Sequence, residues 1–200
     1  FVGKKTLEDY IAFDLEFNQY EGAYQIIQVS AVRFTDGKEV DHYDSYVYTD
    51  KPLKSFINGL TGITQDKIQN APQLEQVLSE FKAFVGDRPL IGYNAKKSDL
   101  PILLENGLDL EEQYAVDVFD EAFERRPSDL HGIKNLQLHT VAEFLGVAGK
   151  SHDSLEDARM TALVYEQFLE FDQGRTLLEE QENFSTNPFG GLDLSGFFDE

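Results

Sequence analysis

The run Ile11-Ala-Phe-Asp-Leu-Glu-Phe17 constrains the fold of this chain more than any other stretch. Its residues are mostly apolar and β-forming, so it reads as a buried strand. Side chains two apart on a strand point to the same face. Asp14 and Glu16 therefore sit side by side on an element that belongs in a core. Like charges so placed repel, and burying them unpaired costs on the order of several kcal/mol. Two arrangements relieve this: an edge strand with a solvated acidic face, or divalent cations held between the carboxylates. Asp-x-Glu alone favours the first. Three residues far along the chain favour the second.

Composition sets the frame for that choice. With 200 residues, 41% hydrophobic content and 16 Phe, the chain can build one domain with a sizeable core and little besides. No apolar run approaches a membrane span, no secretory signal is visible, and there is no Cys for a disulfide or a thiolate metal site. These features fit a cytoplasmic protein with no membrane partner. The first residue is Phe rather than Met, so the natural chain is expected to begin upstream. A net charge of −20 opposes the broad basic face that nucleic-acid binders carry. A polyanion would have to be met locally, with bound cations between it and the protein. The basic residues near the motifs below are Lys96-Lys97, Arg125-Arg126, Lys134 and Lys150.

Three strand-like runs come first, Tyr10–Phe17, Tyr24–Phe34 and Tyr43–Tyr48, with the hairpin signal Asp36-Gly37 between the second and third. They predict an antiparallel meander. Thr61-Gly-Ile-Thr64 opens a short turn and helix, and Asn70-Ala-Pro72 starts a longer helix with Asn70 as its cap. After Gly86 short strands alternate with helices: strand Pro89–Gly92, helix Ser98–Glu105, strand Tyr114–Val118, then helices Phe119–Arg125, Asn135–Leu145 and Ser154–Phe171. This order predicts an α/β fold: a mixed five-stranded sheet with helices on both faces. Residues 1–175 form the domain. Residues 176–200, turn-rich around Asn187-Pro-Phe-Gly-Gly191, read as a flexible acidic tail.

The three later residues sit at element boundaries. In Ile91-Gly-Tyr-Asn-Ala-Lys-Lys-Ser-Asp99 an Asp opens a helix after a strand and a loop. In His152-Asp-Ser-Leu-Glu-Asp157-Ala158 a His and an Asp five apart flank the start of the last helix. Five helical residues are about 140° of rotation, so the two converge only if His152 is on the loop and Asp157 in the first turn. Each has a bland alternative. Ser154 and Asp157 have the spacing of a capping box, Ser98 or Asp99 suits a helix cap, and Asn94 suits a turn. His42, His131 and His139 fall outside the motifs and receive no role.

Together these residues resemble the DEDDh 3′-to-5′ exonucleases, a family that includes the proofreading epsilon subunit of bacterial DNA polymerase III, the exonuclease domain of the PolC-type polymerase, and RNase T. Phe13-Asp14-Leu15-Glu16 is similar to the first motif, Gly92-Tyr93-Asn94 through Asp99 to the second, and His152 through Asp157-Ala158 to the third; the resemblance covers roughly residues 7 to 170. Three positions depart from the common pattern: Phe17 stands for Thr, Tyr93 for His, and Thr61 for the His before Gly-Ile-Thr. None removes a carboxylate.

The resemblance implies an RNase H-like fold and two divalent ions, Mg²⁺ or Mn²⁺, about 3.5–4 Å apart. It implies that Asp14 bridges the two ions, that Glu16 and Asp157 hold the one carrying the attacking water, and that Asp99 supports the other. His152 is then the base, with an ordinary pKa of about 6.5. Phe17, Tyr93 and Asn94 are the expected substrate contacts. The implied reaction is hydrolysis of the terminal phosphodiester at 3′ ends of single-stranded DNA, as in proofreading, releasing nucleoside monophosphates. Trimming of short RNA, a weakly active nucleic-acid or partner-binding module on the same fold, and a hydrolase of another phosphorylated substrate stay open. In the tail, Leu192-Asp-Leu194 with Phe197-Phe198 suggests a peptide that docks on replication proteins, or one that packs back on its own domain.

Overall fold

The computed structural model describes residues 5–149 and 153–186. Strands β1 (Asp9–Tyr20), β2 (Ala23–Thr35) and β3 (Lys38–Tyr46) form the expected antiparallel meander. Helices α1 (Ser55–Thr61), α2 (Gln65–Gln69) and α3 (Leu74–Val85) follow. Next come β4 (Leu90–Gly92), α4 (Asp99–Glu105), a 3-10 turn (Glu111–Gln113) and β5 (Tyr114–Asp117). The chain continues with α5 (Val118–Arg125), α6 (Leu138–Phe144) and α7 (Ser154–Thr186). β4 pairs parallel with β1 and with β5, giving the sheet order β3-β2-β1-β4-β5. The mixed five-stranded sheet is thus the one expected. Among the described residues no helix is long and apolar enough to cross a membrane.

The two faces of β1 explain the layers. Tyr10 and Ala12 pack with Val118, Ala122, Val141, Ala158, Tyr165 and Phe168 of α5, α6 and α7. Ile11, Phe13 and Leu15 pack with Phe81, Val85 and Leu103 of α3 and α4. Strand alternation therefore sends Asp14 and Glu16 to the α7 face, just beyond the last apolar side chains on that side.

Several boundaries differ from the sequence expectation, each for a local reason. β3 begins at Lys38, not Tyr43, because Asp36-Gly37 (φ 52° and 79°) turns the chain straight back into the ladder. Its first half is exposed and, Val40 apart, polar, so it carries no apolar alternation. The Thr61-Gly62 step ends α1, with Gly62 at φ 77°, rather than opening a helix. Asn70 closes α2 instead of capping α3, and the Pro72 carbonyl accepts from Tyr48 N–H at 2.9 Å, which holds that segment extended until Leu74. α6 starts at Leu138 because Asn135 Oδ1 accepts from Gln137 N–H at 3.0 Å in a local turn. α7 runs past Phe171 to Thr186, so the segment 176–186 is helix rather than tail. The docking peptide proposed from Leu192, Leu194, Phe197 and Phe198 lies outside the described residues, as do Lys150 and His152.

Candidate active site

β1 delivers two carboxylates, and β4 makes room beside them. A Cβ on Gly92 would lie 2.7 Å from the Ala95 Cβ, so only glycine lets the chain turn sharply out of the sheet here. Asn94 takes the left-handed conformation at φ 58°, and its N–H donates to Asp117 Oδ1 at 2.9 Å. That same oxygen accepts from Phe119 N–H and caps α5. The loop so fixed brings Asp99, 6% exposed, against β1: its Oδ2 accepts from Leu15 N–H at 3.2 Å and its Oδ1 from Ser98 Oγ at 2.6 Å. Asp99 is therefore a brace on the backbone between Asp14 and Glu16, not a helix cap.

α7 supplies the third motif. Asp157 lies in its first turn, and one carboxylate oxygen each from Asp14, Glu16 and Asp157 fall within 4.8 Å of one another. Ser154 does not serve a capping box. Its hydroxyl points across to β1, 3.1 Å from Asp14 Oδ2 and 3.3 Å from the Asp14 carbonyl. The structure thus brings Asp14, Glu16 and Asp157 together and sets Asp99 beside them. His152 is outside the described residues.

The expected substrate contacts are spread around this cluster. Phe17 sits past a bulge at Glu16/Phe17 and meets Tyr24 edge-on at 5.4 Å. Tyr93 donates its hydroxyl to the Leu136 carbonyl and meets Phe119 edge-on at 5.8 Å. Asn94 is the turn residue that the bland reading offered, and it also lines the cavity that Tyr93 shares.

Sequence reasoning missed three neighbours of the cluster. His139 Nε2 lies 2.9 Å from Asp157 Oδ1, although His139 carries no motif. Ser30 and Gln28 stand directly opposite Asp14 and Glu16 on β2, both buried, and both bond to Asp44 Oδ1. Gln28 also reaches Asp153 Oδ1 at 3.4 Å. Gln28 and Ser30 had a readable signal: polar residues at alternate positions within the apolar stretch Ile26–Val32.

A protein-family model described as an exonuclease, RNase_T, matches residues 11–165. This span holds the cluster and the strand, loop and helix that build it. The chain belongs to the DEDDh-type 3′-to-5′ exonuclease family. It is similar to the PolC-type DNA polymerase III of Thermotoga petrophila, 32% identical over 166 residues, covering 80% of this chain and 12% of the relative. The PolC-type polymerase of Clostridium perfringens is 29% identical over 157 residues, 78% of this chain and 11% of the relative. The chain thus spans about a tenth of the length of these relatives. Among solved structures, the nuclease domain of 3′hExo, a DEDDh family member bound to rAMP, superposes with a TM-score of 0.67 at 20% identity, covering 84% of this chain and 94% of that one. An E. coli ExoI–ssDNA complex in a zinc-bound form gives 0.70 at 15% identity, covering 85% and 42%. These likenesses show the RNase H-like exonuclease fold.

The electrostatics of the DEDDh cluster are those of a site built for cations. Among the described residues no Lys or Arg pairs with Asp14, Glu16 or Asp99. Burial and the charges of Asp99, Glu16 and Asp157 hold the Asp14 carboxyl well above the usual range, against a lowering bond from Ser154. Burial, then Asp157, Asp99 and Asp153, push Glu16 up to about 7. Asp99 rises to about 6 through burial, opposed by Ser98 and the Leu15 N–H. Each carboxylate resists ionisation chiefly because it is buried, and acidic neighbours add to this. A hard donor set of this kind fits a divalent ion such as Mg²⁺ or Mn²⁺, which Asp14, Glu16 and Asp157 would hold. Such an ion supplies charge stabilisation at the phosphate and an acidified water. Ser154 bonds Asp14 and His139 bonds Asp157, which helps to fix the orientation of both carboxylates.

Proposed function

We propose that this protein hydrolyses the terminal phosphodiester at the 3′ end of single-stranded DNA and releases nucleoside monophosphates, using two divalent metal ions, Mg²⁺ or Mn²⁺. The convergence of the Asp14, Glu16 and Asp157 carboxylate oxygens within 4.8 Å carries this reading. In it Asp14 would serve both ions, Glu16 and Asp157 would hold the one on the side of the attacking water, and Asp99 would support the other. His152 takes the proton from that water. Phe17, Tyr93 and Asn94 contact the terminal nucleotide. The PolC-type polymerase relatives favour DNA and a proofreading role. A histone mRNA stem-loop complex among the neighbours, with a TM-score of 0.63, favours short RNA as the second substrate class.

One gel separates these readings. Labelled single-stranded DNA and RNA are incubated with Mg²⁺, Mn²⁺ or EDTA. Laddering from the 3′ end that needs metal, runs faster on DNA, and stops at a blocked 3′ terminus is expected; faster loss of RNA moves the substrate class, and activity in EDTA removes the proposal. His152→Ala should lose on the order of 10²–10⁴ in kcat while still binding Mn²⁺, because its role is proton transfer. We further read residues 187–200 as a docking segment for a replication protein. Deleting them should leave melting temperature and hydrolysis of short oligonucleotides unchanged and abolish partner binding.

A further inference from the structure

We propose that the cavity between α5 and the segment leading into α6 is a subsite for the single strand upstream of the 3′ end. One unpaired base stacks there on Phe123, and Arg126 and Lys134 meet the adjoining phosphates. This deepens the exonuclease reading and rests on it.

The cavity measures about 580 Å3 and is lined by Tyr93, Phe119, Phe123, Arg126, Lys134 and Leu138 together with the polar side chains of Asn94, Asn135 and Gln137. In a chain of net charge −20, this lining carries two cations and no Asp or Glu. A larger cavity beside β5, about 780 Å3, sets Lys5 and Lys96 against five acids, Glu111, Asp117, Asp120, Glu121 and Glu124, and so favours a polyanion less. Among the described residues neither Arg126 nor Lys134 forms an ion pair, whereas the adjacent Arg125 is buried among Glu121, Asp129 and Asp172. Phe123 is 61% exposed on α5, an open aromatic face with its polar neighbours already in place. Cations for the backbone and an aromatic platform for a base are what a sequence-tolerant single-strand site requires.

Position ties the cavity to the carboxylates. The parallel pairing of Ala12 with Ile91 sets the end of β4 beside β1 two residues before Asp14, and Tyr93 follows directly after β4. Tyr93 packs on the α7 side of the sheet, the face that carries Asp14 and Glu16. On α6, Leu138 lines the cavity while the next residue, His139, touches Asp157. A strand whose 3′ end lies at the carboxylates therefore reaches this cavity within its next few nucleotides.

Three proteins test this: the wild type, Phe123→Ala, and the double charge reversal Arg126→Glu/Lys134→Glu. All three positions are exposed, so folding is spared. Each is assayed on the 4-nitrophenyl ester of thymidine 5′-monophosphate, which fills only the terminal position, and on decathymidylate. The proposal expects KM for the decamer to rise roughly tenfold in each variant while kcat and both constants for the ester stay at wild-type values. The salt dependence of decamer binding should fall by about two phosphate contacts in the double variant. An unchanged decamer KM, or an equal loss on the ester, overturns the subsite. If the wild type cleaves neither substrate, the exonuclease reading fails. Anisotropy of labelled decathymidylate on Asp14→Asn protein, with and without Phe123→Ala, then decides the subsite alone: weaker binding supports it, and equal binding overturns it.

Discussion

Two regions of this protein bury several carboxylates each, and they handle the charge in opposite ways. Between α5 and α7, Arg125 is 5% exposed and donates to Glu121 at 2.9 Å and to Asp172 at 2.7 Å, with Asp129 at 3.5 Å. Its guanidinium also lies 4.5 Å from the Phe168 ring centre. Every acid there has a permanent cation beside it. At the other region Asp14, Glu16, Asp99 and Asp157 crowd together with only His139 as a basic neighbour among the described residues. The first arrangement is complete in itself and works as structure. The second is stable only when protons or added cations neutralise it. The contrast separates an acidic cluster that holds the fold from one that holds a ligand.

The largest expected effect comes from the unpaired cluster. Asp14→Asn should cut kcat on the order of 10³-fold, since it removes a ligand common to both proposed ions and several kcal/mol of charge stabilisation. The same change should raise the melting temperature of the metal-free protein by removing a repelling charge. Steady-state kinetics with thermal melts in EDTA check both halves, and a melting temperature that falls would contradict the contrast. Arg125→Met should behave the other way. It keeps side-chain volume but takes the guanidinium from buried Glu121 and leaves Asp129 and Asp172 to Arg175 alone, at about 3–5 kcal/mol. A drop of about 10 °C in melting temperature is expected, with specific activity of the folded fraction unchanged.

Neighbouring residues show how much of this was legible in the sequence. Asp14 and Glu16 were readable because strand alternation is strict, and Asp99 and Asp157 because both open helices after recognisable loops. The mixed sheet followed from the order of strand and helix signals. Arg125 and Arg126 read as one basic pair, yet a helical step of about 100° sends one into the core and the other to the α5 cavity. Which goes where depends on Asp129 and Asp172, far apart in the chain. His139 gave no signal, because its contact with Asp157 is made only when α6 packs on α7. The end of α7 was misread because residues 176–186 have helix-forming side chains but no apolar period; Arg175 pairs with Asp129 at 2.7 Å and ties that extension to the segment after α5.

The pH dependence of stability sharpens the comparison further. Glu16 has its folded carboxyl raised from 4.5 to about 7. A raised acid contributes stability that is fully present below its unfolded value and lost as pH climbs through the folded one. The metal-free protein should therefore lose on the order of 2 kcal/mol between about pH 5 and 8, or roughly 5 °C. Mg²⁺ favours the ionised form and should flatten the curve. Calorimetric scans across this window, with EDTA and with Mg²⁺, make the test; a flat profile in EDTA would mean that the carboxylates are neutralised by some other means.

The smallest effect concerns Ser154. Its hydroxyl, 1% exposed, is the hydrogen-bond donor that the described residues offer to the Asp14 carboxylate. A lone neutral bond of this kind contributes only about 1 kcal/mol to stability, far less than Arg125 does in its network. Its consequence for a bound ion is larger, because it fixes the orientation of a carboxylate that lies with Glu16 and Asp157. Ser154→Ala should lower Mn²⁺ affinity about tenfold with a melting temperature within about 3 °C of wild type. Ser154→Thr keeps the hydroxyl and should recover most of the affinity. Isothermal titration with Mn²⁺ on the three proteins distinguishes the outcomes. Loss of stability without loss of affinity would make Ser154 a packing residue of α7, and would leave the orientation of Asp14 to its backbone and to the brace from Asp99.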